Sequence, residues 1–146
     1  MRSLRNISDI TALLIVLYLI YLGGNSAYKI LGMITPWYTV EKIHVDDFKQ
    51  EENSNRVITY KRFVHKDFTA DWFVQIINQN EGEPQCHGSG KSRYKKSKEK
   101  KELKVTVEWF VGKKCNLKPG QYKINTIWVN EDGRSIQSVS NAFNVS

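Results

Sequence analysis

Apolar positions in this chain follow two different rules. From Ile10 to Leu22 they are continuous apart from Thr11, behind the polar lead MRSLRNISD. After Tyr38 they alternate. Trp72, Val74 and Ile76 alternate with Phe73, Gln75 and Ile77, and because both faces are rather apolar the pattern predicts a central strand. Leu103, Val105, Val107 and Trp109 alternate with Lys104, Thr106, Glu108 and Phe110, which predicts a half-buried strand with Trp109 on its apolar face. Tyr122, Ile124, Thr126 and Trp128 form another alternating set, and Val57–Val64, Thr39–Val45 and Ser135–Val145 supply further strands. Asp132-Gly133 is a hairpin turn signal. No segment after Ile34 carries helical periodicity. Several short strands at this spacing predict a mainly β domain, an antiparallel β-sandwich, with Trp72, Trp109, Tyr122 and Trp128 in its core.

The continuous apolar run admits two readings. A cleaved signal peptide needs a basic lead, an apolar core and a small-residue cleavage site. Arg2 and Arg5 supply the lead, but Gly24-Asn25-Ser26-Ala27 offers no clean A-x-A site. A spanning helix needs roughly 20 apolar residues, a length reached by extending to Ile34. Tyr28, Trp37 and Tyr38 then form an aromatic belt, Lys29 snorkels, and Pro36 ends the helix. The uncleaved anchor is the preferred reading. It divides the chain into a basic lead (1–9), an anchor or signal segment (10–35) that meets membrane lipids, and one domain (36–146).

Orientation rests on the cysteines. Arg2 and Arg5 before the run are nearly balanced by Lys29, Lys42 and Lys49 after it. The chain has 2 cysteines, Cys86 and Cys115, both in the domain. A single pair in a small extracytoplasmic domain reads as one disulfide, worth roughly 3–4 kcal/mol in the loop-entropy account. The alternative is two buried free thiols in a cytosolic domain. The oxidised reading places the domain outside the cytoplasm, in the periplasm or at the cell surface.

Leu117-Lys118-Pro119-Gly120-Gln121-Tyr122 and the following NTIWVNEDGRSIQSVSNAFNV resemble the corner and last strands of fibronectin type III and related immunoglobulin-like domains. That resemblance implies an immunoglobulin-like sandwich in which Tyr122 packs in the core and its hydroxyl bonds nearby backbone. It covers about the last 30 residues and leaves a disulfide atypical of fibronectin type III domains unexplained. A second, longer order is Phe63-Val64-His65-Lys66-Asp67-Phe68-Thr69-Ala70-Asp71-Trp72, Cys86-His87-Gly88-Ser89-Gly90, Val107-Glu108-Trp109-Phe110, then Cys115 and the Pro-Gly-x-Tyr corner. It is similar to small membrane-anchored proteins of unknown function encoded in bacteriophage and prophage genomes. This likeness implies a source, and it holds both cysteines in one pattern.

Charge changes the picture at one place. The formal net charge is +7, and much of it lies in Lys91, Arg93, Lys95, Lys96, Lys98, Lys100, Lys101 and Lys104, offset there by Glu99 and Glu102. Read as a loop between a Gly88-Ser89-Gly90 turn and the Leu103 strand, this run attracts polyanions such as lipid headgroups, lipopolysaccharide, teichoic acid or nucleic acid. The plainer alternative is a solvated loop that guards a sheet edge. Tyr94 is the lone aromatic within the run, which argues against base stacking.

Other chemistry finds little support. Gly88-Ser89-Gly90-Lys91-Ser92 lacks the leading glycine of a phosphate loop, since that position is Gln85. His44, His65 and His87 are isolated, and Cys86-His87 has no partner pair at zinc spacing, so no metal or other cofactor is expected. Asp67 and Asp71 read as turn or cap residues in preference to a glycosidase pair. No nucleophile motif is present. The expected protein is a single-pass, phage-encoded membrane protein displaying a non-catalytic binding module at the bacterial envelope. Its partner is an anionic envelope polymer or a protein. The alternative is a structural subunit of a virion or envelope complex, which implies oligomeric assembly.

Overall fold

The computed structural model describes residues 14–24, 26, 35–52 and 55–146. The chain divides into two units, one ending at Pro36 and one comprising Trp37–Ser146. In the first, residues 14–24 are helical (α1). Among the described residues no helix is long and apolar enough to cross a membrane. The described part of α1 rises about 16 Å, against a hydrocarbon core of about 30 Å. Residues 1–13, 25 and 27–34, on which much of the anchor-or-signal reading falls, lie outside the described residues.

The second unit is a β-sandwich of two antiparallel sheets. In the four-stranded sheet, β3 (Ile58–Val64) is central. β1 (Tyr38–Val40) and β2 (His44–Val45) share one of its edges, and β6 (Lys101–Val105) takes the other. The five-stranded sheet runs β5 (Pro84–Tyr94), β4 (Phe68–Asn78), β7 (Gly120–Asn130), β8 (Ser135–Val139), with β9 (Phe143–Val145) also on β7. A 3₁₀ turn, Gln50–Glu52, follows β2.

The alternation read from the sequence sets the core. Tyr122, Ile124, Thr126 and Trp128 all point inward from β7 and are buried. β4 is central, as its two apolar faces require, with Phe68, Ala70, Val74 and Ile76 buried. The β7–β8 hairpin turns at Asp132-Gly133, where Gly133 has φ +77 and the Asn130 side chain accepts from the Asp132 and Arg134 amides. The expected strand Thr39–Val45 is split into β1 and β2. Ser135–Val145 breaks at Ser140–Ala142 because the Asn141 amide turns away to bond both backbone groups of Val45 (2.8 and 2.9 Å), stitching one sheet to the other.

Two expectations are corrected. Trp37 and Tyr38, assigned to a lipid-interface belt, are each 4% exposed. They pack edge-on and tilted against Phe68, Tyr94 and Trp128 within the sandwich. The strand predicted to reach Phe110 stops at Val105, and a short helix, α2 (Val107–Val111), follows. Thr106 caps it, its hydroxyl accepting from the Trp109 amide at 3.0 Å, and Gly112 ends it in the left-handed conformation at φ 80. Val107, Phe110 and Val111 turn inward at helical spacing. Trp109 is thereby rotated outward and is 59% exposed, so it is not a core residue.

Candidate binding cleft

The inner face of β5 reads Cys86, Gly88, Gly90, Ser92, Tyr94. Three of these positions carry almost no side chain, and neighbours move into the space. A Cβ on Gly88 would lie 1.8 Å from the carbonyl oxygen of Val111 at the end of α2. A Cβ on Gly90 would lie 2.6 Å from the Trp72 indole. These glycines sit in mid-strand, not in the turn expected from Gly88-Ser89-Gly90. Trp72, expected in the core, lies against Gly90 only partly buried, its indole N–H donating to Ser92 Oγ at 3.1 Å. The Cys86–Cys115 disulfide, with Cα atoms 5.9 Å apart, fastens the segment after α2 to the same strand.

Toward the β5–β6 side a cleft of about 520 Å³ lies between the two sheets, lined by residues of both. Trp72, Tyr94, Ser92 and Thr126 form one wall and floor, with Trp128 behind them. Tyr60, Arg62 and Val64 of β3 form the other wall, and Trp109 stands at the mouth. Arg62 occupies an inward position, in phase with Ile58, Tyr60 and Val64. Its guanidinium lies 5.5 Å from the centroid of Tyr94, and its charge opposes the burial-driven rise in the pKa of Tyr38. Tyr94 is stacked on Phe68 at 4.7 Å, which fixes the ring under the cation.

The cleft keeps its phenols neutral. Burial, above all, raises the pKa of Tyr38 well beyond the ordinary tyrosine range, pushes that of Tyr60 up to about 12 and raises that of Tyr94. Arg62 opposes each shift without overcoming it. The phenols therefore act as hydrogen-bonding hydroxyls at any physiological pH. Thr126, 1% exposed, carries a buried hydroxyl oxygen without a hydrogen-bond partner among the described residues.

The residues expected to bind anions are divided among three elements. Lys91 and Arg93 are on the outer face of β5, Lys95, Lys96, Lys98 and Lys100 on the connection, and Lys101 on β6. All are exposed. The connection is pinned: Ser97 exchanges backbone and hydroxyl bonds with Val64, and the Lys96 amide donates to Asp67 at 2.8 Å. Lys100 pairs with Glu41 at 2.7 Å and Lys91 with Asp71 at 3.8 Å. Among the described residues, the remaining five have no carboxylate within ion-pair distance. Arg93, Lys95 and Lys101 line the cleft mouth, whereas Lys91, Lys96, Lys98 and Lys100 lie outside it.

Asp67 and Asp71 are thus engaged as a loop cap and a surface ion pair. Among the described residues no three His, Cys, Asp or Glu side chains gather as metal ligands. His44 faces Asp46 at 3.1 Å, and His65 bonds Thr39 at 2.7 Å. Tyr122 lies away from the cleft, buried, its hydroxyl donating to the Lys118 carbonyl at 2.8 Å. Arg62, Tyr60 and Thr126 are the cleft residues that sequence reasoning passed over. For Arg62 the signal is there: a cation standing in phase with the apolar positions of Val57–Val64.

No family model matches the chain, and a search of curated proteins returns no match.

Proposed function

We propose that this protein is a membrane-anchored, non-catalytic binding module whose extracytoplasmic sandwich holds an anionic partner at the edge formed by β5, β6 and their connection. The observation that carries the reading is the excess of positive charge on that edge, which Glu99 and Glu102 offset only in part. Arg93, Lys95, Lys96, Lys98 and Lys101 stand together without carboxylate partners within ion-pair distance among the described residues, and the two exposed pairs nearby are worth little. Such an edge concentrates lipopolysaccharide, teichoic acid or anionic headgroups. The disulfide supports an oxidising compartment. Apolar side chains on every face of α1, exposed from Leu14 to Leu22, support a lipid-facing segment. The crossing from β5 in one sheet to β6 in the other, with the Tyr122 corner, supports an immunoglobulin-like topology. A phage or prophage origin, and with it a role in modifying the host envelope, rests on the sequence resemblance alone.

A structural subunit is the second reading. Phe73 and Val139 are exposed, at 48% and 43%, on the outer face of the five-stranded sheet, where an oligomer would cover them.

The Trp37–Ser146 unit is expected to bind lipopolysaccharide in low salt and to release it near roughly half-molar salt, where screening is nearly complete. Replacing Lys95, Lys96, Lys98, Lys100 and Lys101 by Ser abolishes that binding with little change in melting. Equal retention of the Ser variant would refute the assignment of this edge.

A further inference from the structure

We propose that the cleft between the sheets is a specific site for an acidic sugar, a pyranose ring carrying one carboxylate or phosphate, with Arg62 receiving the anionic group. Unlike the attraction of a polyanion to surface lysines, with which it shares Arg93, Lys95 and Lys101, it turns on Arg62 and Thr126.

The sign of the ligand follows from the lining. Among the described residues every charged residue that lines the cleft is a cation, namely Arg62, Lys95, Lys101 and Arg93, the last with its side chain on the outer face of β5. Arg62 is the informative one. It is half-buried on the inner face of a strand, where a charge is normally paired, and no carboxylate approaches it within ion-pair distance among the described residues. One face of its guanidinium rests over Tyr94. A guanidinium has five N–H donors in a fixed fork, so the outer pair is left for a carboxylate or phosphate.

The shape and polarity of the rest point to a sugar. A volume of about 520 Å³ is in the range of small-molecule sites and holds one or two pyranose rings. Trp72 and Trp109 offer indole surface, Trp109 being 59% exposed. A sugar ring has C–H faces that lie against such a surface. Four hydroxyl residues from different elements line the site, Ser97, Ser92, Tyr60 and Thr126. That scatter matches a ring bearing hydroxyls all round, better than a nucleobase whose polar atoms lie only at its edge. The second, independent observation is Thr126. Its oxygen is buried and unpartnered among the described residues, a condition that is rare in folded proteins; a ligand hydroxyl relieves it by displacing the side chains that cover it.

Titration of the full chain in mild detergent tests this through tryptophan fluorescence. Glucuronate, glucose 6-phosphate, glucose and adenosine monophosphate serve as probes. Saturable changes are expected with glucuronate, glucose 6-phosphate or both, the stronger of the two identifying carboxylate or phosphate as the recognised group. Glucose is expected to bind at least about tenfold more weakly, since it forfeits the charge-assisted contact. Arg62→Met is expected to fold, because it replaces an unpaired inner charge by an apolar chain of similar length, and to lose the acid-over-neutral preference. Thr126→Val, equal in shape, is expected to weaken binding several-fold with melting unchanged or raised. Lys96→Ser with Lys98→Ser, outside the cleft, leaves affinity within about twofold while weakening polyanion binding. The inference is overturned if neither acidic sugar gives a saturable response, if adenosine monophosphate binds more tightly than both, or if folded Arg62→Met retains the preference for the acidic sugar.

Discussion

Replacing Gly88 by Ala tests how the wall of the cleft is built. Gly88 lies in mid-β5, and a Cβ there would stand 1.8 Å from the Val111 carbonyl oxygen and 2.9 Å from its carbon. An ordinary carbon–oxygen contact is about 3.3 Å, so relief requires α2 or β5 to retreat by about 1.5 Å. Neither is free to do so. Val107, Phe110 and Val111 hold α2 in the core, and the bond between Cys86 and Cys115 ties the following segment to the same strand. Overpacking of this kind costs about 1–3 kcal/mol, and a contact this short belongs at the upper end. Alanine gains about 0.5–1 kcal/mol over glycine in strand propensity, which offsets only part of it. The net expectation is a loss of about 2 kcal/mol, or a fall of roughly 8–16 °C in melting temperature for a unit of this size. Thermal melts followed by far-ultraviolet circular dichroism, with the disulfide intact, measure it. Ser89→Ala, next along the strand on the exposed face, is the control and is expected to stay within about 0.5 kcal/mol of the parent. If Gly88→Ala melts with Ser89→Ala, α2 does not press on β5 as described.

Two further outcomes are expected. Trp128→Ala, which removes a side chain 4% exposed, should cost about 3–5 kcal/mol, whereas Trp109→Ala, at 59% exposed, should cost under about 1 kcal/mol; the reverse ranking in urea melts would restore the continuous strand through Phe110. The second concerns alkaline pH: with Tyr60 pushed up to about 12 and Tyr38 and Tyr94 also raised by burial, the folded state keeps protons that the unfolded chain releases near pH ~10. Stability is therefore complete below about pH 10 and declines toward pH ~12, by about 1.4 kcal/mol per pH unit for each phenol still protonated; urea midpoints that do not move between about pH 9.5 and pH 11.5 would refute the buried-phenol account.

What the sequence made legible depended on how many residues each pattern had to repeat. β7 shows four inward positions from Tyr122 to Trp128 in strict alternation, and all four are buried. β4 announces its central place because Phe73 and Ile77 make its second face apolar. The stretch from Leu103 to Phe110 has the same alternation through Trp109, yet Val107, Phe110 and Val111 also stand at helical spacing. Over so few residues the two periods agree, and the ends decide: Thr106 caps and Gly112 closes. Trp37 and Tyr38 were drawn toward the membrane by the apolar run before them. Their burial follows from pairing that no local pattern contains, since Tyr38 lies opposite Val64. The basic run was legible as charge, but its division among a strand face, a pinned connection and a strand start depends on the register of β5 against β4.

The cleft is written in residue sizes, which is why alternation missed it. An alternating strand announces its inner face by apolar bulk, and β5 has little to announce between Cys86 and Tyr94. Its inner positions are Gly88, Gly90 and Ser92. α2 fills the first space and Trp72 the second. At Ser92 the side chain is small, and the hydroxyl that meets the Trp72 indole N–H borders the cleft. β3 contributes a cation to the same space where a strand built only for stability would carry Val or Leu. A valine at each position would narrow the gap and remove an unpaired inner charge, so both residues run against packing. Departures from packing that fall together on one space, from strands in different sheets, are what a binding site requires and what a stable sandwich does not.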